Sequence, residues 1–240
     1  MKPGVTVFAT AKRPHLWMKV YNSIGYNKTP WEIVFVGPNK PGFELPYNFR
    51  FIESNFKPSQ CIEIAARACE TEFIFQTGDD VFFVGEQPLD RLVDTYNSKD
   101  CQAVSARFML NGEDQSHYCH RFDIKDEETP YVIGVGTLLK KSTWTRLGGL
   151  DCRFIATMGD LDMWMRVYEA GGKIVLSDVF IDEYKRPNEP TFDSEIWIHD
   201  RDLVDRLWLH NGKAVAIRKE PLELYTDLSK TQGDTSSQWP

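Results

Sequence analysis

Four consecutive apolar residues, Ile33-Val34-Phe35-Val36, run directly into Gly37-Pro38, and no other stretch narrows the possible folds as much. A strand with one wet face alternates apolar and polar residues, whereas an unbroken β-branched and aromatic run belongs to a strand covered on both faces. Helices packed above and below a parallel sheet provide such cover, and the flanking segments supply them. Val5-Thr6-Val7-Phe8-Ala9 reads as a strand, after which Pro14 opens a helix with Trp17, Val20, Tyr21 and Ile24 on one face. Residues 49–52 read as a further strand, and Pro58 opens a helix in which Ile62, Ala65, Ala66 and Cys69 share a side. Residues 71–77 form the next strand, and Leu89, Leu92, Val93 and Tyr96 mark a third helix. The order β-α-β-β-α-β-α predicts a doubly wound, Rossmann-like sheet, in which ligands bind beyond the carboxyl ends of the strands.

The second half is less regular. Residues 104–108 and 117–124 read as strands of a mixed sheet, 131–139 as a Gly-interrupted strand and 142–147 as a short helix. Residues 160–170 form a helix ended by Gly171-Gly172, with a strand at 173–176 after it. Residues 181–198, polar and carrying Pro187 and Pro190, read as a mobile loop ahead of a short amphipathic helix at 200–209. Residues 229–240 have the polarity of a disordered tail.

A net charge of −7 argues against general affinity for nucleic-acid backbones or anionic membrane surfaces, so a phosphate-bearing ligand needs a metal or local Arg and Lys. The five cysteines form no Cys-x-x-Cys and no zinc-spaced Cys/His cluster, so a reducing cytosol is expected rather than a disulfide framework. No run of eighteen apolar residues occurs, so no integral membrane segment is expected and any membrane association would be peripheral.

The strand Glu72-Phe73-Ile74-Phe75-Gln76-Thr77 runs into Gly78-Asp79-Asp80 and then Val81-Phe82-Phe83. Two adjacent carboxylates against apolar flanks must face solvent, a hydrogen-bonding turn or a cation, so a plain Gly-Asp turn and a divalent-metal site both stand open. A second constellation reads Gly148-Gly149-Leu150-Asp151, then Gly159-Asp160-Leu161-Asp162, then Glu169-Ala170-Gly171-Gly172-Lys173-Ile174. In this order, over residues 4–180, the motifs resemble family 2-type glycosyltransferases of the GT-A fold. The resemblance implies a three-layer α/β/α fold about a mixed, mostly parallel sheet. It divides one domain over 1–228 into a nucleotide-binding half, 1–100, and an acceptor-binding half, 101–228.

It further implies transfer from a nucleotide-diphosphate sugar, a UDP-sugar in the first instance, to a saccharide or glycoconjugate acceptor, with Mn2+ or Mg2+ as cofactor. Asp80 would be the direct metal ligand, Asp79 a contact to ribose or metal-bound water, and Thr10 and Arg13 nucleotide contacts. Arg13 also reads as an ordinary surface cation. The acidic residue that often holds uracil after the second strand is replaced by Gly37-Pro38-Asn39, leaving Asn39 or a backbone group as a substitute. Asp160 takes the position of the inverting base, although its helix-start location equally suits an N-cap. Asp162, four before Arg166, reads as half of a surface ion pair. Arg153 and Lys185 are candidate phosphate contacts, His199 a candidate third metal ligand, and Trp197 a candidate sugar platform. A retaining enzyme using the same metal site, a nucleotidyltransferase, and a non-catalytic carbohydrate-binding protein are the alternatives.

Overall fold

The computed structural model describes residues 4–116, 132, 134–184, 194–210 and 213–233. The first half comprises β1 (Val5–Thr10), α1 (Pro14–Ile24), β2 (Trp31–Gly37), β3 (Phe49–Glu53), α2 (Pro58–Ala68), β4 (Phe73–Gln76), β5 (Val81–Val84) and α3 (Pro88–Ser98). The second half follows with β6 (Ala103–Leu110), β7 (Glu113–Asp114), β8 (Thr137–Lys140), α4 (Lys141–Arg146), α5 (Gly159–Glu169), β9 (Ile174–Glu183) and α6 (Ser194–Trp208). A small antiparallel pair, β10 (Leu209–His210) and β11 (Lys213–Ala214), comes last.

The main sheet has the order β3-β2-β1-β4-β8-β6-β9-β5, with β7 hydrogen-bonded to β6. β3, β2, β1 and β4 are mutually parallel, β6 and β9 run the same way, and β5, β7 and β8 run against them. The apolar run that opened the sequence argument lies in β2, where Ile33, Val34, Phe35 and Val36 are all fully buried. Alternate residues go to opposite faces of the pleat. Ile33 and Phe35 join Trp17, Val20 and Ile24 of α1 and Leu89 and Leu92 of α3. Val34 and Val36 join Cys61, Ala65 and Ala66 of α2, together with Met163 of α5 and Leu203 of α6. Three layers follow from that division. Trp17 anchors one of them, packing edge-on to Phe35 at 5.6 Å between ring centroids, and its truncation to Ala would cost about 3–5 kcal/mol.

The second half departs from expectation in instructive places. β5 was not legible as a strand of its own; it pairs antiparallel with the end of β9, Val81 opposite Glu183. Only four residues, 77–80, separate β4 from β5, although three strands lie between them in the sheet. Five residue steps reach at most about 18 Å, whereas four strand spacings in a flat sheet span about 19 Å. The sheet must therefore curl until its β9–β5 edge returns beside the end of β4. Sustained pairing with β6 and β5 also explains why β9 runs to Glu183 rather than stopping near residue 176, so residues 181–183 are strand and not loop. α6 begins at Ser194, ahead of the expected start at 200, because its buried stripe Ile196, Asp200, Leu203, Val204 and Leu207 is interrupted by an acid.

The expected strand over 131–139 contracts to Thr137–Lys140 at its described end, and the expected strand at 117–124 lies outside the described residues. Residues 229–233, read as part of a disordered tail, return to α2, where the Gln60 amide donates to the Lys230 carbonyl at 2.8 Å. Cys61, Cys69, Cys101 and Cys152 are free and buried. Among the described residues no helix is long and apolar enough to cross a membrane.

Candidate active site

At the carboxyl ends of β1 and β4 a cleft of about 280 Å³ opens against the start of α2 and the segment that leads into α5. Thr10, Arg13, Asp79, Asp80 and Asp160 all line it, together with Glu183 from the end of β9. The curl of the sheet puts Glu183 there, because the β5–β9 register carries it alongside Val81.

Asp79 and Asp80 are adjacent yet do different things. Asp79 is 2% exposed. Its Oδ2 accepts from the backbone N–H groups of Lys12 (2.7 Å) and Arg13 (2.6 Å) and from the Trp17 indole, while Arg13 Nη1 donates to its Oδ1. Three donors from the β1–α1 turn and one from α1 thus fix this carboxylate, which in return fixes the loop. Asp80 instead lies 3.0 Å from Arg13 Nη1 through Oδ2. Burial pushes its carboxyl up to about 7, against the pull of Arg13 and with the neighbouring Asp79 and Glu183 adding to the rise. Burial works against the Arg13 charge, but Asp79 and Asp80 outweigh it and keep the guanidinium pKa raised.

A buried carboxylate raised this far is one that a cation would stabilise in its ionised form, so the donor chemistry fits a hard divalent ion at Asp80. No group of three His, Cys, Asp or Glu side chains suited to a metal occurs among the described residues. A divalent ion held at Asp80 would have to take most of its ligands from water and phosphate, as Mg2+ and Mn2+ can.

Asp160 sits in the first turn of α5, one residue past Gly159, and the cap position belongs to Met158, in the left-handed region with φ 56°. Asp160 Oδ1 accepts from the Leu161 N–H at 2.8 Å. Burial raises its carboxyl pKa above the ordinary carboxylate value despite that hydrogen bond and a partly open surface. The segment before it is held from below by Asp200, which is fully buried and accepts from the N–H groups of Ile155, Ala156 and Thr157.

Asp162 corrects the sequence reading. Its pairing with Arg166 is present at 2.9 Å, but the pair is buried, not on the surface. Trp208 Nε1 and Arg218 Nε each donate to its other oxygen at 2.9 Å. It is a structural carboxylate, as Asp79 is.

Four expected contacts, Asn39, Arg153, His199 and Trp197, are not among the residues lining the cleft. Asn39 is exposed and donates to the Lys12 carbonyl, bracing the β1–α1 loop from outside. Gly37, beside it, is required because a Cβ there would run into the Ala11 carbonyl. Arg153 is bound by Asp151 and Glu220 at 2.8 and 2.6 Å on a different surface. His199 Nδ1 lies 2.9 Å from Asp200 Oδ1, beneath the 155–157 segment rather than beside Asp80. Trp197 is 41% exposed, with the Arg201 guanidinium over its ring. Lys185 lies outside the described residues.

Sequence reasoning missed Glu183, Asp200 and Gln76, all of which touch the cleft or its supporting segment. For Glu183 a signal existed: buried Val179 and Ile181 alternate with more exposed neighbours, extending the strand pattern to the acid.

No protein-family model and no curated protein matches the sequence. Solved structures do match: S. aureus TarS 1–349, at 13% identity and a TM-score of 0.57, covers 74% of this chain and 60% of its own. The same protein in complex with UDP-GlcNAc, at 14% identity and a TM-score of 0.60, covers 85% and 66%. The chain thus spans no more than about two thirds of the length of the structures it matches. The shared architecture is the mixed α/β, GT-A-like fold with its curled sheet.

Proposed function

We propose that this protein is a nucleotide-sugar-dependent glycosyltransferase, with UDP-sugars as the donor class and a saccharide or glycoconjugate as acceptor. The observation that carries the reading is that Asp80 and Asp160 line one and the same cleft at the carboxyl edge of the sheet. The fold likeness to a structure containing UDP-GlcNAc supports the donor class.

Arg13, and the Lys12 and Arg13 loop clamped by Asp79, would meet the negative pyrophosphate. A Mn2+ or Mg2+ ion held at Asp80 would supply further neutralisation of the leaving diphosphate. Asp160 acts as general base: it takes the proton of the acceptor hydroxyl as that oxygen bonds to the anomeric carbon. The bond from that carbon to the diphosphate oxygen breaks, and the nucleoside diphosphate leaves with the electron pair. Attack opposite the leaving group inverts the anomeric centre. Burial raises the Asp160 carboxyl above its ordinary range, which makes the ionised form a stronger proton acceptor.

One observation favours a second reading of the same site. Arg13 already contacts both aspartates, so the guanidinium can serve as the cation and the enzyme would then need no metal. Calorimetric titration with UDP-GlcNAc, with Mn2+ and then with chelator, separates the two. Metal dependence predicts binding that weakens in chelator and in Asp80→Ala. Equal affinity in both solutions favours the arginine, and no binding of any UDP-sugar refutes the donor assignment altogether.

A further inference from the structure

We infer that Gln76, with Thr77 beside it, forms the neutral floor of the cleft and recognises hydroxyl groups of the transferred sugar; this rests on the nucleotide-sugar reading above. Six side-chain oxygens among the described residues are buried without a hydrogen-bond partner, and three of them, Thr10 Oγ1, Gln76 Oε1 and Thr77 Oγ1, belong to residues lining this one cleft. The Thr10 hydroxyl interacts with the Cys61 thiol, a weak partner. Buried polar atoms in native proteins are nearly always satisfied, so a cluster of unsatisfied ones in a cavity marks where a ligand or ordered water completes the network.

Position supports the same conclusion. Gln76 is the last residue of β4, hemmed in on both sides by strand pairing to Phe8 of β1 and Thr137 of β8, and is 7% exposed. A side chain locked there is not a solvated surface amide. Gln76 Oε1 lines the same cleft and yet is buried without a protein partner.

Chemistry then identifies what part of a nucleotide sugar fits. Phosphate oxygens only accept hydrogen bonds and carry charge, which suits the cationic residues of the lining, Lys12 and Arg13. The Gln76–Thr77 floor is uncharged and pairs an amide with a hydroxyl. Its complement is a group that can both donate and accept without charge, as sugar hydroxyls do. Whichever way the Gln76 amide is turned, that complement holds.

The test is to titrate UDP and UDP-GlcNAc into the wild-type chain and Gln76→Leu, with UDP-glucose as a second sugar probe. The inference expects the wild type to bind a UDP-sugar more tightly than UDP. In Gln76→Leu that sugar-dependent gain should fall about 10- to 100-fold, while UDP affinity stays within about twofold. Thermal melting should not fall, since the change replaces an unsatisfied buried amide by an apolar group. Should Gln76→Leu fail to fold, Gln76→Met and Thr77→Val carry the same expectation. A UDP-sugar gain unchanged in folded variants, equal losses for UDP and UDP-sugar, or a wild type that binds UDP-sugars no better than UDP, each overturns the inference while leaving a nucleotide site. Binding of none of the three probes by the wild type overturns both this inference and the donor assignment.

Discussion

The Gly78–Asp80 loop and the first turn of α5 solve the same problem in the same way. Each presents two acidic residues close in sequence, and in each one carboxylate is saturated by protein donors while the other is left to the cleft. Asp79 takes two backbone N–H groups, a guanidinium and an indole; Asp162 takes two guanidinium groups and an indole. Their companions Asp80 and Asp160 are raised in pKa by burial. The lesson is that a site needing an ionisable group at a defined place builds a second acid nearby to hold the backbone that carries it. On the proposed glycosyltransferase reading, the saturated partners confer geometry and the under-satisfied ones supply the reactive groups.

The largest effect should come from breaking the second pair on its reactive side. Asp160→Asn is expected to lower transfer by about 100- to 10,000-fold while donor affinity and melting temperature stay close to wild type. Asn can keep the contact to the Leu161 N–H but cannot accept a hydroxyl proton. Single-turnover transfer alongside UDP-sugar titration is the measurement. Near-normal transfer would leave the cleft without its base and dissolve the parallel with Asp80.

Breaking the structural side should give the opposite profile. Asp162→Ala removes one partner from a buried network with Arg166 and Arg218, and is expected to cost about 3–5 kcal/mol of stability. Denaturant unfolding checks this. A midpoint unchanged from wild type would mean that the network is not what anchors α5. Asp79→Ala should lose somewhat less, about 1.5–3 kcal/mol, since charged hydrogen bonds are removed but half of its donors are backbone groups that can reach water. It should also weaken UDP binding, because the loop bearing Lys12 and Arg13 is released.

A smaller effect should follow at the support beneath Asp160. Asp200→Asn keeps one acceptor for the N–H groups of Ile155, Ala156 and Thr157 but disturbs the rest. A fall in kcat of about 3- to 10-fold with KM little changed is expected, since misplacement of a positioned group acts on the transition state. A change confined to KM would show that the segment serves binding instead.

How much of this could be read beforehand depends on the range of the interactions. The covered strand β2 and the helices begun by Pro14 and Pro58 are local matters of periodicity and backbone preference, and residues 5–68 fold as read. The division of labour within each acidic pair was not readable. It is decided by Trp17, 62 residues before Asp79, and by Arg218, 56 residues after Asp162. The same holds for Glu183, which reaches the cleft only through pairing with Val81. Asp160 was correctly narrowed to a helix start, yet its capping role went to Met158, a residue no capping preference would select.

The finest test of the comparison is the dependence of stability on pH. Asp160 has a carboxyl pKa raised in the folded state, so between its unfolded value and that raised value the folded chain holds more proton than the unfolded chain. Its contribution is therefore most favourable at acidic pH, below the ordinary carboxylate range, and is lost as pH rises through the folded value. Asp160→Asn cannot titrate and has no such term. Melting temperatures measured in steps from pH 4 to pH 8 should show the wild type losing ground to Asp160→Asn as pH increases, with Asp80 and every other carboxylate cancelling in the difference. The effect is small against the loss of transfer, but it reads the environment of the carboxyl directly. A difference that stays flat would mean that burial does not raise the carboxyl, and one that grows in the wild type's favour that Asp160 is hydrogen-bonded and stabilised as an anion. It would then belong with Asp79 and Asp162, and the α5 turn would hold two structural acids in place of one structural acid and one base.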